Sequence, residues 1–264
     1  MIMFTRDVLF SRMIGLVSEV QLDTLKYKTV AIPGCGGTGF TYAECMARMG
    51  VGKIKIADAD HFGPENMNRQ FGCTIQTVGL KKSDVLKERL ESINPDIIVE
   101  VVDFIDDNNI VSYLDGVDVV CDTLDFFVIK PRRILYQTAR ENKIPVVICC
   151  PVAFGVTSHI FTPESMSFEE YFNIDDSQTE EEQLSNFGNG LTPDKLYNNY
   201  CESPSLDFNL KKVSSLSASC LMATAYGSHL ALMLLLNIDF GFKPVPNCYQ
   251  FDIRAGVFKE NIVK

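Results

Sequence analysis

Short apolar runs recur through the first half of the chain, and stretches of mixed polarity separate them. Lys28–Ile32, Lys53–Asp58, Ile97–Val102, Val117–Asp122 and Pro145–Cys149 are apolar almost throughout, as strands buried on both faces should be. Between them Thr38–Met49, Ser83–Ile93 and the stretch through Arg132–Asn142 place apolar residues at helical spacing. Strands separated by helices imply crossovers and a parallel sheet covered on both sides, hence an α/β fold. Residues 1–28 read as a helical lead-in and 29–160 as the core. After Thr162 the pattern changes. Residues 163–212 are rich in Asp, Glu, Asn and Ser and read as a crossover excursion with short helices, able to serve as a lid. The acidic run Asp175–Glu182 reads as a solvated face. Leu216–Leu236 approaches membrane-spanning length, but Ser217, Ser219, Thr224, Ser228 and His229 interrupt it, which favours a buried helix or a subunit interface. A closing strand, Asn247–Ile253, and a strand-like tail form an antiparallel C-terminal extension. Without repeats or linkers, residues 1–264 read as one domain.

The first strand runs straight into GCGGTG (34–39) and a helix. Gly34, Gly36 and Gly39 fit the glycine turn of a nucleotide site: the first allows the tight turn, the second lets backbone approach phosphate, the third lets helix and strand pack closely. Gly37 adds a further point of close approach, and the helix N-terminus offers free N–H groups to an anion. The fold this defines is a Rossmann-like, doubly wound, mainly parallel sheet. Asp58 and Asp60 end the second strand, about twenty residues on, where a carboxylate accepts hydrogen bonds from ribose. Up to here a redox dinucleotide fits as well as ATP. Asn66, Arg69, Gln70, Lys81 and Lys82 follow, and they tip the balance. A triphosphate that loses pyrophosphate needs several cations, because negative charge grows on the leaving group. Taken singly, Lys82 reads equally as a solvent-exposed helix start.

Charge and composition narrow the partners. A net charge of -10 argues against a nucleic-acid backbone as the main partner, though a local basic patch remains compatible with it. Nine cysteines in no regular framework point to free thiols in a reducing, cytoplasmic setting. No signal-peptide pattern opens the chain, and no membrane association is expected. Three histidines, His61, His159 and His229, make no metal-binding spacing, and there is no Ser–His–Asp arrangement.

Together, GCGGTG (34–39), DAD (58–60), NMNRQ (66–70), GLKK (79–82) and INP (93–95) resemble the ThiF/MoeB/HesA superfamily, bacterial relatives of ubiquitin-activating enzymes. DGVDVVCDTLDFF (115–127) and NKIPVV (142–147) extend the resemblance over most of residues 10–160. It implies an adenylyltransferase in which a carboxylate attacks the α-phosphorus of Mg·ATP and pyrophosphate leaves. Carried over, Asp58 and Asp60 serve the nucleotide, with Asp58 on the ribose. Asn66, Arg69 and Lys82 contact phosphates, Gln70 orders the loop, and Asp125 holds Mg²⁺. FSRMIGL (10–16) resembles the motif whose arginine reaches across a homodimer to the partner's ATP, which nominates Arg12, with Arg6 as the weaker alternative. The implied substrate is a carboxylate: the C-terminus of a ubiquitin-like sulfur carrier, a peptide tail or a small acid.

The pattern departs from the family in three places. The paired CxxC motifs of structural zinc are missing, and adjacent Cys149 and Cys150 point to opposite faces of a strand, so no zinc site is expected. Cys201 is the only cysteine of the excursion and so the candidate for a thioester; Cys220 reads as a packed residue of the apolar helix. TLDFF replaces the usual TD-N, and Lys130 stands near where an arginine is frequent. Asp122 is either a second functional acid or a cap for the following loop. FSRMIGL, LDFF and MSFEEYF (166–172) resemble a branch whose members stand alone or are fused to nitroreductase-like domains. Two alternatives stay open: a dehydratase acting on threonylcarbamoyladenosine in tRNA, against which the net charge counts, and a nucleotide-binding partner module without catalysis.

Overall fold

A computed structural model describes residues 4–201, 206–208 and 211–263; the first three residues of the lead-in, parts of the excursion (202–205 and 209–210) and Lys264 lie outside the described residues. The lead-in is not continuous helix. A single turn, α1 (Arg6–Leu9), and a 3-10 turn at Ser11–Met13 precede α2 (Glu19–Leu25). Ser18 and Gln21 form a reciprocal capping box at the start of α2.

All five apolar runs are parallel strands. β1 (Thr29–Pro33), β2 (Lys53–Ala57), β3 (Ile98–Val102), β4 (Val119–Cys121) and β5 (Val146–Val152) lie side by side in the order β3-β2-β1-β4-β5. β1 is buried at every position, as a central strand covered on both faces requires. The crossovers run through α3 (Gly39–Arg48), α4 (Lys82–Ile93), the short α5 (Ile110–Leu114) and α6 (Ile129–Glu141). The order reverses between β1 and β4, which opens a crevice at the carboxyl ends of these two strands.

An antiparallel half completes the sheet. β6 (Gly155–Phe161) folds back on β5 with Val152 opposite Gly155. The remaining elements are α7 (Phe168–Phe172), α8 (Glu180–Leu191), a small hairpin of β7 (Leu206–Asp207) and β8 (Lys212–Val213), and α9 (Ser217–Leu236). β9 (Asn247–Asp252) then pairs antiparallel with β6, and β10 (Val257–Ile262) with β9. The expected doubly wound, mainly parallel sheet with an antiparallel extension is therefore present, and β6 and α5 are additions to it.

Helices α3, α4 and α9 cover one face around Tyr42, Met46, Leu86, Leu90, Leu230 and Leu235. Helices α5–α8 cover the other around Tyr113, Leu135, Phe168, Phe172 and Phe187. Cys149 belongs to the first core and Cys150 packs against the second, on opposite faces as strand alternation demands. The excursion departs from expectation. Phe168, Tyr171, Phe172, Leu184, Phe187 and Leu191 are buried, so α7 and α8 form core rather than a lid. The acids of 175–182 do face solvent, and Thr179 with Glu182 caps α8. Helix α9 is apolar and long enough to cross a membrane by length and composition, yet Cys220, Ala223, Thr224, Gly227 and Leu230 are buried, and the Thr224 hydroxyl bonds that of Thr41 on α3 at 2.6 Å.

Two predictions follow from this packing. A methyl group at Gly227 would run into the hydroxyl and ring of Tyr42, whereas Gly241 faces open space. Gly227→Ala should cost about 1–3 kcal/mol or more in urea unfolding, and Gly241→Ala much less. Equal costs would show that α3 and α9 do not meet as described. His159 is buried, its Nδ1 has no partner, and desolvation pulls its pKa from 6.5 down to about 4. Between those values the unfolded chain binds a proton that the folded chain does not. Stability should therefore be complete above pH 6.5 and fall as pH drops towards 4, by roughly 1 kcal/mol per unit. A His159→Leu variant whose urea midpoint keeps the wild-type slope between pH 7 and 5 would exclude His159 as the cause.

Candidate active site

The crevice between β1 and β4 is built from glycine outwards. Gly34 has φ +101°, and a Cβ there would meet the carbonyl of Thr123 on the loop after β4. A Cβ at Gly39 would strike the Gly34 carbonyl. The first glycine therefore meets a conformational demand and the third a packing demand. Gly36 differs: the nearest atom to a Cβ would be Gln70 Nε2, 3.7 Å away. The Thr123 hydroxyl donates to the carbonyls of Pro33 (2.8 Å) and Gly34 (2.9 Å), tying the β4 loop to the glycine turn.

Asp58, half-buried, directly follows β2. Its Oδ2 accepts the Cys35 N–H at 2.7 Å and its Oδ1 the Asp60 N–H at 2.8 Å. The carboxylate is thus fixed against the turn, and each oxygen keeps acceptor capacity for a hydroxyl. Lys82 is buried, and its Nζ lies 3.0 Å from Asp60 Oδ2, whose side chain is 75% exposed. Lys82 is also the first residue of α4, where the helix dipole disfavours a cation. It is not a solvent-exposed helix start.

The segment after β2 folds over the turn. Asn66 Oδ1 accepts the Gly63 N–H, and the Asn66 carbonyl accepts from the N–H groups of Arg69 and Gln70. Gln70 is buried with its Oε1 unpartnered. Arg69 is half-buried, its Nη1 bonded to the carbonyl of Glu65 and to Asn68 Oδ1. Its chain lies beside Gly37: a Cβ there would be 3.3 Å from the Arg69 carbonyl and 3.6 Å from its Cγ. The same Cβ would lie 3.0 Å from Cys220 Sγ. Cys220 is packed as expected, but against the glycine turn.

Asp125 is exposed on the loop from β4 to α6, its Oδ1 accepting the Phe127 N–H at 3.0 Å. What holds this loop is Arg132, which the sequence reading missed. Arg132 is 1% exposed. Its Nε meets Asp122 Oδ2 at 2.8 Å, its Nη2 donates to the carbonyls of Leu124 (2.7 Å) and Asp125 (3.1 Å), and its Nη1 to that of Val128 (3.3 Å). The Tyr136 hydroxyl adds a second donor to Asp122 Oδ2 at 3.0 Å, and Asp122 Oδ1 accepts the Leu124 N–H. The two readings left open for Asp122 resolve to a buried, charge-paired cap. Asp122 and Arg132 stand ten residues apart, one at a strand end and one inside a helix, and no local motif signals the pair.

Other nominated residues lie apart. Arg6 is committed to structure, donating to the Gly50 carbonyl at 2.7 Å and lying over the Phe10 ring. Arg12 is exposed on the 3-10 turn and makes no ion pair among the described residues. Lys130 and His61 are exposed. Cys201 is half-buried, next to Tyr200. Among the described residues no three His, Cys, Asp or Glu side chains converge as a metal cluster.

A glycine turn at the switch point, an anchored acid after β2, Arg69 beside the turn and Lys82 on Asp60 give a Rossmann-like α/β protein the layout of a nucleotide site. The chain belongs to the ThiF family, whose model matches residues 10–259, and so to the ThiF/MoeB/HesA superfamily. It is 37% identical over 134 residues to the tRNA threonylcarbamoyladenosine dehydratase of Escherichia coli (strain K12), a match covering 50% of this chain and 49% of that protein. The chain spans about half the length of the curated dehydratases it matches. The fold is similar to that of the E. coli dehydratase TcdA solved with ATP, with TM-score 0.64 and 22% identity over 88% of this chain and 95% of that one. E. coli MccB solved with ATP gives TM-score 0.65 and 19% identity over 92% of this chain and 66% of that one.

Removing Arg132 leaves Asp122 buried without its countercharge. Arg132→Met should cost about 3–5 kcal/mol in urea unfolding, and adding Asp122→Leu should recover a large part. A single variant as stable as wild type would show that the pair does not hold the loop.

Proposed function

We propose that the chain is an ATP-dependent enzyme that activates a carboxylate by adenylylation, and that this carboxylate is carried by threonylcarbamoyladenosine in tRNA. The first half rests on Lys82. A buried ammonium at the first position of a helix, opposed by the helix dipole, does little for folding and much for a polyphosphate. The buried, unpartnered Gln70 Oε1 supports it, beside Gly36, where a Cβ would meet only the Gln70 amide, 3.7 Å away. The dehydratase relatives, at 35–37% identity, support the second half. The second reading, a ubiquitin-like carrier, is favoured by 34% identity to ubiquitin-like modifier-activating enzyme 5 of Caenorhabditis elegans, over 30% of that protein.

On this reading the backbone of Gly34–Gly39 receives phosphate, and Asp58 accepts from the ribose hydroxyls. Asp60 orients Lys82. Arg69 and Lys82 hold oxygens of the departing pyrophosphate, while Asn66 and Gln70 fix the segment that carries Arg69. Asp125 would hold Mg²⁺, which would supply charge to offset the repulsion between phosphate and attacking carboxylate. Arg12 of a second copy completes the site in a homodimer.

The test is release of AMP and pyrophosphate from Mg·ATP with tRNA carrying threonylcarbamoyladenosine, beside a ubiquitin-like carrier. Asp125→Ala should lower turnover at least about a hundredfold and leave ATP binding largely intact. Wild-type turnover by that variant removes Asp125 from the chemistry. Turnover with the carrier and not with tRNA moves the substrate to the second reading.

A further inference from the structure

The carboxyl edge of the sheet continues past the crevice. β6 runs antiparallel to β5 and β9 antiparallel to β6, so the start of β6 and the end of β9 share the edge that carries the glycine turn. There the rings of Tyr200 and Phe154 flank Arg254, whose guanidinium carbon lies 4.5 Å and 5.5 Å from their centroids. The two rings meet edge to face at 5.7 Å. The Tyr200 hydroxyl donates to Asp252, which also accepts the Ala255 N–H at 2.8 Å, so the turn that carries Arg254 is fastened from both sides. Asp194 accepts from Gln250 Nε2 at 3.0 Å and lays the segment leading to Tyr200 along β9.

This cluster is joined to the nucleotide crevice. The Ser219 hydroxyl donates to the Ala153 carbonyl at 2.6 Å, and the next residue, Cys220, packs against Gly37. Three strand spacings separate β4 from β9, about 14 Å. Arg254 is exposed and makes no ion pair among the described residues, while Phe154 is 43% exposed.

We propose that Arg254, Tyr200 and Phe154 form a contact site for single-stranded RNA, taking a splayed base on the rings and its phosphate on Arg254, beside the nucleotide whose carboxylate is activated at the crevice. It rests on the tRNA reading of the substrate. Aromatic rings and a guanidinium plane are the surfaces on which unpaired bases stack, and a preorganised arginine suits a phosphate. A site this local also reconciles an acidic chain with an RNA substrate.

The experiment measures AMP release with tRNA carrying threonylcarbamoyladenosine, and with the free nucleoside, at several salt concentrations. The variants are Arg254→Gln and Phe154→Leu, with the partly exposed Lys87→Gln on α4 as control. Arg254→Gln should raise KM for tRNA about tenfold and lower its salt slope by about 1. Phe154→Leu should raise KM by roughly five- to a hundredfold without changing the slope. Neither should move kcat, KM for ATP or KM for the nucleoside. Unchanged KM and slope in both variants, with wild-type enzyme active on the tRNA, overturn this site and leave the proposed function standing. Wild-type activity on a carrier or peptide tail and none on tRNA removes the substrate reading and this site with it.

Discussion

A guanidinium with no access to water needs every charge and every N–H answered from within the protein, and at Arg132 the answers come from one loop. Asp122 supplies the countercharge, and the carbonyls of residues 124, 125 and 128 take the remaining donors. That arrangement forces the chain between β4 and α6 to curl around a side chain rather than run extended. The curl delivers the Thr123 hydroxyl to the glycine turn and leaves Asp125 facing out. A buried pair of this kind adds little net stability over an apolar substitute. Its effect is to specify one loop conformation, since any other strands a charge.

The rest of the crevice follows the same economy. Asp58 is held by two backbone N–H groups, Lys82 by Asp60, and Asn66 by its own turn. Asp58 and Asn66 are pinned by backbone N–H groups, so this part of the crevice is organised before any ligand arrives. Preorganised groups do not have to reorient as charge develops.

Much of this was legible in sequence because it is local. Strand burial, the glycine spacing, the acid after β2 and the cations beyond it are fixed by separations within one βαβ unit. What escaped depends on distance in the fold or on averages that hide a face. β6 was missed because its turn carries no signal: Ala153, not glycine, adopts φ 48°. The excursion looked like a lid because Asp and Glu crowd the loops and first turns of α7 and α8, while Phe168, Phe172, Leu184 and Phe187 share their inner faces. Arg132 sits in a helix beside Arg133, half-buried and paired with Glu169 and Asp176, and the exposed Arg140, and composition cannot single it out. Arg6 attracted notice by its position and proved to be a structural clasp on Gly50.

The aromatic core under α7 and α8 meets the Asp125 loop through Phe187. Phe187 lies 4.6 Å from the Arg132 guanidinium and 5.5 Å from the Phe126 ring. Other contacts join the same elements: Arg133 pairs with Glu169 and Asp176, and Tyr136 packs against Phe168. In evolution or in a deliberate chimera, a relative's segment replacing residues 168–200 has to reproduce these contacts. The exchange succeeds only where the incoming helix presents a ring at the position of Phe187. Without that ring, a graft that changes nothing in the nucleotide crevice still loosens the loop on which Asp125 stands.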